Sequence, residues 1–452
     1  MAENHGVFVA EASTSVSTIN TATSGIPFVI GIAPLSKADA DKRATAGVPV
    51  LATSFAEAEE HLGYSDQWGD YTLCEFMYYH FKLAACQPVI FLPLAENLQT
   101  QKFNGDGTAR EFTVTAKPER VLGVTVGEDS VTVSAYDKAT GKVTLETAPA
   151  TGTDNVTVTY LVRPAASVVA AAVENIDLCM TMFSKIPDLI AAPGFSTESV
   201  VAAAMAAKIA SVNGLFRGRA VVDLTGESYT EAIAAKNAGS YTENMILCWP
   251  NLKLGNLTFH GSTVEAGRIA LTDVENGNVP NETPSNKPVS ADSLASPSGA
   301  EVQITWTQGN ILNAAGINTF INWFGSRRAW GNYTGCYPGN NDVKDYLIPV
   351  ARMFDWVANT LIKTFWGKLD KPMNRRLIDS ILDSVNIWLN GLVGRDYLLG
   401  ARAVMLDAEN PETDLMAGIM RVHLYMTPAS PMQEVDFTLE YDVSYVASAL
   451  TG

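Results

Sequence analysis

The sequence predicts a mixed α/β protein of several domains, and three observations lead to this prediction. The chain has 452 residues, more than the roughly 250–300 residues over which a single hydrophobic core continues to grow. Between positions 99 and 163 it is rich in Thr and Val that alternate apolar with polar, which is typical of a small all-β unit. From position 164 onward, predicted strands and helices alternate with short loops, which favours a layered and largely parallel sheet.

The segment before the β unit has the pattern of an α/β body. Residues 26–32 form an apolar strand, and residues 72–86 form an amphipathic helix with Leu73, Phe76, Met77 and Phe81 at helical spacing. The apolar run 89–94 has the length of a buried strand. Within the β unit, four strands are predicted at 112–115, 131–134, 143–146 and 156–160.

The same body resumes after the β unit. Predicted helices at 167–184, 197–212 and 229–237 alternate with strands at 186–191, 220–224 and 245–249. Asn, Pro and Ser dominate residues 275–300, which predicts a long irregular loop. Two long helices follow at 346–369 and 374–391, and then a strand at 421–427.

These patterns divide the chain into five segments. They are an N-terminal linker strand, the first part of the body, an inserted β-sandwich, the main α/β part, and an α+β domain that ends in a linker strand, at 1–24, 25–98, 99–163, 164–335 and 336–452, respectively.

Both ends of the chain are predicted strands. The first includes Val7, Phe8 and Val9 within residues 6–12. In the second, residues 434–446, every other residue is apolar and the residues between are polar, which predicts a strand with one buried face. Its apolar residues are Val435, Phe437, Leu439, Tyr441, Val443 and Tyr445. We expect both strands to pair with sheets of neighbouring subunits; the alternative is that they complete the sheet of their own subunit.

Composition excludes several classes of function. A net charge of −17 argues against binding to nucleic acid or to anionic lipid, both of which require clustered Lys and Arg. No secretory signal is visible, and no apolar run reaches the roughly 18 residues of a membrane span. The five scattered cysteines indicate buried thiols, so we expect folding in a host cytoplasm.

The sequence offers no chemistry for catalysis. It contains no nucleophile elbow or phosphate-binding loop, and its five histidines lie apart from one another, so no catalytic, metal or cofactor-binding residue is predicted. One dense basic cluster stands out in the acidic chain. It consists of Lys368, Lys371, Arg375 and Arg376. It is either a solvated helix start or a contact for an acidic partner such as an inner tube, and positive charge at a helix start is mildly unfavourable.

Several segments together resemble the contractile tail sheath family. They are 6–9 and 25–31 near the N-terminus, 270–277 with 284–287, 312–318 with 330–334, and 359–366, 374–378 and 391–394 near the C-terminus. The segment Leu271-Thr272-Asp273 is similar to the family's Arg-Thr-Asp motif, with Leu271 where arginine is common. That departure puts in doubt any salt bridge made by the family's arginine.

The resemblance implies a subtilisin-like α/β domain without a catalytic triad, an inserted β-sandwich, and exchanged terminal strands. It also implies hexameric rings stacked as a helical sheath around a tail tube, in contact with baseplate and tail terminator proteins, in a virion tail or tail-like particle. Contraction of the sheath would drive the tube through a target envelope. Alternatives are an α/β hydrolase with a subtilisin-like fold, a tail tube protein, and a bacteriocin or injection particle built on the same sheath.

Overall fold

A computed structural model describes residues 18–86, 88–118 and 120–450, and within these ranges it shows a mixed α/β fold with three hydrophobic cores. The largest core belongs to the body, the second to the C-terminal unit, and the smallest to the inserted β unit.

The chain first builds part of the body. Its elements are β1 (Pro27–Ile32), β2 (Val50–Ala52), α1 (Phe55–Leu62), α2 (Thr72–Met77) and β3 (Val89–Leu94). Ser54 begins α1 because its hydroxyl accepts a hydrogen bond from the Glu57 amide. Helix α2 continues into a π-helical turn, Tyr78–Leu83, so the helix predicted at 72–86 ends three residues early.

The inserted unit is a sandwich of two antiparallel sheets. Its strands are β4 (Leu98–Gly105), β5 (Glu111–Thr113), β6 (Val121–Val126), β7 (Asp129–Val131), β8 (Val133–Asp137), β9 (Lys142–Leu145) and β10 (Gly152–Leu161). One sheet has the order β4-β10-β6-β7 and the other β5-β9-β8. Alternate residues such as Val143 and Leu145, or Val156 and Val158, point into the shared core, as the period of a strand requires.

The chain then completes the body. The next elements are α3 (Ala166–Ala172), α4 (Leu178–Phe183), β11 (Leu189–Ala191), α5 (Ser199–Ile209), β12 (Arg219–Asp223), α6 (Tyr229–Ala238) and β13 (Met245–Cys248). The central sheet has the order β13-β12-β11-β1-β3-β2 and is parallel except for β2. Its strands are buried on both faces, which explains their continuous apolar sequence.

A helical segment in this part has the length and composition of a membrane span, contrary to the sequence prediction. It covers Ala166–Phe183 and joins α3 and α4 through a 3-10 turn. Val169, Val173 and Ile176 are nevertheless in the core of the body, and Lys208 donates to Glu174 and Asp177 at 2.7 and 2.6 Å. The segment therefore packs as a covering helix of the sheet.

The end of the body differs most from the prediction. Its elements are β14 (Asn251–Leu254), β15 (Leu257–Phe259), α7 (Gly261–Glu275), β16 (Ser293–Ala295), β17 (Glu301–Val302), α8 (Trp306–Ala314), β18 (Thr319–Trp323) and β19 (Ser326–Trp330). Helix α7 was not predicted, because it is buried nearly all round and its buried positions include Glu265, Arg268 and Asp273. Its sequence therefore lacks an amphipathic stripe. The predicted loop 275–300 is interrupted by β16.

The C-terminal unit is built on two long helices and a narrow sheet. Its elements are α9 (Val343–Tyr346), α10 (Ile348–Phe365), α11 (Arg375–Val393), β20 (Leu398–Val404), α12 (Glu412–Met416), β21 (His423–Pro428) and α13 (Val443–Leu450). Strands β20 and β21 form an antiparallel pair. Its core includes Met353, Trp356, Val385, Trp388 and Leu389.

The strand predicted at 434–446 is not formed in the isolated subunit. Residues 429–442 have neither helix nor strand, and Val443 and Tyr445 lie in α13, so the strand prediction is wrong at these two positions. The Asp442 carboxylate accepts a hydrogen bond from the Ser444 amide at 2.9 Å and so begins the helix.

Candidate assembly surfaces

The last part of the described chain extends away from the rest of the subunit. We call residues 431–450 the C-terminal arm. Phe437, Leu439 and Tyr441 expose 85%, 95% and 77% of their surface, and Val435, Val443 and Tyr445 are also exposed. Isolated exposed apolar residues are common on proteins, but a run at alternate positions is a mark of an interaction surface.

The start of the arm is held against the body. The Tyr333 hydroxyl donates to the Gln433 side-chain oxygen at 2.8 Å. The ring of Tyr333 stacks on that of Tyr337 with centroids 4.1 Å apart, which fixes its direction. The arm is therefore anchored at Gln433, and its apolar side chains from Val435 to Tyr441 are exposed to solvent.

The β20–β21 pair has one covered edge and one open edge. On β20, the Asn386 side chain of α11 donates to the Ala403 carbonyl at 2.9 Å and accepts from its amide at 2.8 Å. Leu424 of β21 lies opposite Ala403. Because opposite residues of an antiparallel pair point their backbone groups in the same sense, inward or outward, Leu424 directs its N–H and C=O away from β20. The open edge is therefore that of β21.

An apolar groove runs along this open edge. We call it the α11 groove; it has a volume of about 410 Å³ and lies between α10, α11 and the chain that leads into β21. Its apolar lining includes Phe365, Leu377, Ile378, Ile381, Val422 and Leu424. Two strands do not cover the first half of α11, since Leu377, Ile378 and Ile381 remain half-buried.

The first described residues at the N-terminal end lie along α10. The amides of Asn20 and Ala22 donate to the hydroxyls of Thr364 and Thr360, each at 3.0 Å. The Trp356 indole N–H donates to the Ala22 carbonyl at 2.9 Å. The predicted inter-subunit residues Val7, Phe8 and Val9 lie outside the described residues.

The structure places the four residues of the basic cluster at one end of the C-terminal unit. Lys368 and Lys371 are on the rim of the α11 groove, whereas Arg375 and Arg376 begin α11. The Asn374 side chain caps this helix by accepting from the Leu377 amide at 2.9 Å. Arg375 is 89% exposed and reaches Asp379 at 3.2 Å, a solvent-screened pair that contributes little to stability.

A buried ion network joins the C-terminal unit to the body, and sequence reasoning missed its central residue. Arg352 of α10 donates to both carboxylate oxygens of Asp273, at 2.8 and 2.5 Å, and to Asp188 at 2.8 Å. Burial alone lowers the pKa of Arg352, but the two carboxylates outweigh this effect and raise it. The aspartate of the Leu271-Thr272-Asp273 segment is thus paired with an arginine 79 positions away.

A second polar centre lies where the body strands end. Asp223 accepts hydrogen bonds from the hydroxyls of Ser196 and Ser262 at 2.9 and 2.5 Å, and burial raises its pKa. His260 binds the Glu75 carboxylate through Nδ1 at 2.9 Å. Burial opposes protonation of His260, but the charge and hydrogen bond of Glu75, with the charge of Asp223, raise its pKa to about 9.

This centre has the residue types of a hydrolase but not the required pairing. A serine nucleophile must hydrogen-bond a histidine that acts as its base. Here both serines bond Asp223, whereas the histidine bonds Glu75. The arrangement holds the start of α7 against the sheet, since the Ser262 amide also donates to Asp223 at 2.7 Å. Residues 18–86, 88–118 and 120–450 contain no group of three His, Cys, Asp or Glu that suits a metal ion.

Sequence comparison finds phage tail proteins. No protein-family model matches the chain. It is 25% identical over 284 residues to the tail sheath protein of Burkholderia phage BcepMu, and the match covers 60% of this chain and 58% of that protein. It is 24% identical over 278 residues to the tail sheath protein of Escherichia phage P2, covering 59% of this chain and 66% of that protein. The chain thus spans about three fifths of the length of these relatives.

Structural comparison extends the likeness to nearly the whole chain. The helical sheath of the anti-feeding prophage in its contracted state aligns with a TM-score of 0.60 at 16% identity, over 98% of this chain and 100% of that one. The contracted sheath complex of the extracellular contractile injection system PVC aligns with a TM-score of 0.61 at 14% identity, over 98% of this chain and 99% of that one. The fold is therefore shared with these sheath proteins. The chain is thus similar in sequence to phage tail sheath proteins and has the fold of sheath proteins from contractile injection systems.

Proposed function

We propose that this chain is the structural sheath subunit of a contractile tail or tail-like particle, and not an enzyme. Copies would stack as hexameric rings around a tail tube, in contact with baseplate and terminator proteins, after assembly in a bacterial cytoplasm. One observation carries the proposal: the C-terminal arm exposes a run of alternating apolar side chains, on a chain that also has an open strand edge beside an apolar groove.

The arm and the edge suit each other as donor and acceptor of a strand. An extended segment that joins an open edge gains main-chain hydrogen bonds, and its alternate side chains gain pockets. Phe437, Leu439 and Tyr441 would enter the α11 groove. Burial at about 1.5–3 kcal/mol for each large apolar side chain gives a linkage of order ten kcal/mol when Val435 and the residues of α13 are included, before the entropy of ordering the arm.

Strand addition would also cover an apolar surface that the isolated subunit leaves exposed. A two-stranded sheet is marginal by itself, and here it leaves half of the apolar face of α11 uncovered. Each added strand widens the sheet by about 4.8 Å. The arm of a neighbour and the N-terminal strand with Val7, Phe8 and Val9 would extend the sheet over this face.

Anchoring at both terminal segments would let such a polymer change shape without coming apart. Asn20 and Ala22 are bonded to α10, and Gln433 is bonded to Tyr333, so the residues beyond these anchors would act as linkers between rigid subunits. Ring-to-ring contacts would then repack while the linkers stay paired. The extended sheath would be a kinetically trapped lattice whose energy is stored during assembly, so no nucleotide is needed.

The proposed sheath also gives a role to the body, the sandwich and the basic cluster. The body would be a subtilisin-like domain without a triad, the sandwich at 99–163 would project from it, and the C-terminal unit would face the tube. Lys368, Lys371, Arg375 and Arg376 would contact an acidic tube surface. The hydrolase alternative has no support, because the sequence relatives are tail sheath proteins and Ser196 and Ser262 lack a histidine partner.

Truncation tests the linker. Removing residues 433–452 is expected to leave a folded monomer that does not polymerise, because the deleted residues make few contacts with their own subunit. Removing residues 1–17, which keeps the root on α10, is expected to have the same effect. Circular dichroism would report folding, and negative-stain electron microscopy would report tubes or rings.

A point variant separates the loss of the strand from the loss of the chain end. Leu439→Ser should weaken polymerisation, whereas Met416→Ser, which alters a residue exposed to 89% outside the arm, should not. Normal polymers from the chain that lacks residues 433–452 would refute strand donation by the C-terminal arm.

A further inference from the structure

We propose that Arg402 recognises the acidic side of the C-terminal arm donated by a second copy of this chain, and so fixes which face of that arm enters the α11 groove. The inference rests on the proposed function, because it names the contact that orients the donated strand.

Arg402 lies on the outer face of the β20–β21 pair. It is opposite Tyr425 in the β20–β21 register, on the face turned away from the core residues Ala403 and Leu424. Its guanidinium carbon lies 4.5 Å from the centre of the Tyr425 ring. The guanidinium therefore lies over a side chain of β21, the strand with the open edge, and the ring contact holds it there.

Among the described residues, no carboxylate forms an ion pair with this guanidinium. On the same face, His423 is bound to Glu409 at 2.7 Å, and the adjacent Arg421 is bound to Asp414 at 2.5 Å. Within the described ranges, Arg402 stacks on Tyr425 and forms no ion pair. It is the basic group of this small sheet that an incoming acid can pair without displacing another carboxylate.

The C-terminal arm alternates apolar residues with polar and acidic ones. When Phe437, Leu439 and Tyr441 point into the groove, the residues between them point to the opposite face of the sheet. The acidic residues in those positions are Asp436, Glu440 and Asp442. A strand added at the open edge stands about 4.8 Å from β21, so its carboxylates come within reach of the guanidinium that lies over Tyr425.

Electrostatic pairing would fix the register of the donated strand, which apolar burial alone does not fix. A strand shifted by one residue would direct its carboxylates into the apolar groove and its rings to solvent. A charge on the outer face penalises that error, because complementary charges fix register and suppress wrong pairings. The partner is thus a second copy of this chain, recognised through alternating aromatic and acidic residues.

Charge reversal on two separate copies tests this inference. Variant A carries Arg402→Glu, and variant B carries Asp436→Lys with Glu440→Lys. Each alone would bring like charges together at every joint, so each is expected to raise the critical concentration for polymerisation about tenfold or more, equivalent to about 1.4 kcal/mol. An equimolar mixture of A and B should polymerise near the wild-type concentration, because in an alternating polymer every joint then has opposite charges.

Two controls make the result decisive. Arg395→Glu makes the same charge change at an arginine that lies near Tyr397 instead, in the same unit, and should polymerise normally. The chain without residues 433–452 reports on strand donation itself. If that truncation abolishes polymers while variant A polymerises like wild type, the role of Arg402 is refuted and strand donation stands. If A and B fail alone and also fail when mixed, with both monomers folded by circular dichroism, recognition between copies is refuted.

Discussion

At the residue scale, the buried charges of this chain serve to position its elements. His260 is the clearest case, because it is a single titratable group whose pKa of about 9 comes from Glu75 and Asp223 acting against burial. The protonated ring links the start of α7 to α2, since Glu75 also accepts from the His260 amide at 3.2 Å and from the Thr263 hydroxyl. The same residue types suggest an enzyme, but their pairing instead joins two helices. We call this contact between His260 and Glu75 the clasp.

This clasp predicts a pH dependence of stability. A histidine has a pKa of about 6.5 in an unfolded chain. With a folded pKa of about 9, its contribution is fully present below pH 6.5 and is lost as the pH rises through 9. The free energy of unfolding, measured with urea, should fall by up to about 3 kcal/mol more in wild type than in His260→Gln over this range.

Comparing wild type with His260→Gln cancels the contributions of the other titratable groups to the pH dependence. Burial raises the pKa of Glu265 to about 7, so it also lowers stability as the pH rises, but it does so equally in both chains. His61→Gln, which changes a half-buried histidine bonded to the Lys42 carbonyl and not to a carboxylate, should keep the wild-type profile. Parallel pH profiles of wild type and His260→Gln would contradict the proposed charge on His260.

At the element scale, the sequence predicted the strands and helices that have a regular hydrophobic pattern. It did not predict the features that depend on contacts between distant residues. The strands of the sandwich and the long helices α10 and α11 follow from period-2 and helical patterns, and the structure contains them. Helix α7 was missed because charged residues lie among its buried positions, and one of them, Asp273, is paired with the distant residue Arg352. The role of the β21 edge was also out of reach, since it depends on Asn386 covering the other strand of the pair.

The contact between α10 and the body gives a prediction at this scale. Arg352→Met should reduce the free energy of unfolding by about 3–5 kcal/mol, because it leaves Asp273 and Asp188 buried without a counter-charge. Adding Asp273→Asn should recover part of this loss, since it removes one uncompensated charge. Arg375→Met, at an exposed ion pair, should change the free energy by less than about 0.5 kcal/mol. Equal effects of the two arginine substitutions in urea unfolding would show that the network does not stabilise this contact.

At the scale of the whole molecule, the contacts that join the units lie apart from the exposed C-terminal arm. Helix α10 carries residues of two cores, Ile348 in the body and Met353 and Trp356 in the C-terminal unit, so these parts form one connected unit. Arg120 ties the inserted sandwich to Asp70 of the body at 2.8 Å. The surfaces proposed for partners are the β21 edge, the α11 groove, the C-terminal arm and the basic cluster, and within the described residues all four belong to the C-terminal unit.

The basic cluster therefore gives a prediction about the particle and not about the subunit. Reversing Arg375 and Arg376 to Glu should impair co-assembly with the cognate tail tube protein, because the chain is otherwise acidic and these exposed charges would face an acidic surface. The folded monomer should persist, since both residues are exposed. Co-sedimentation of sheath and tube at low and high salt measures the effect, and the difference from wild type should shrink as salt screens the contact.

Reversing Lys102 and Lys117 of the sandwich makes the same change in net charge at exposed sites far along the chain, and should leave co-sedimentation unchanged. Equal loss in both variants would indicate a general effect of net charge, whereas no loss in either would remove the cluster from the tube interface.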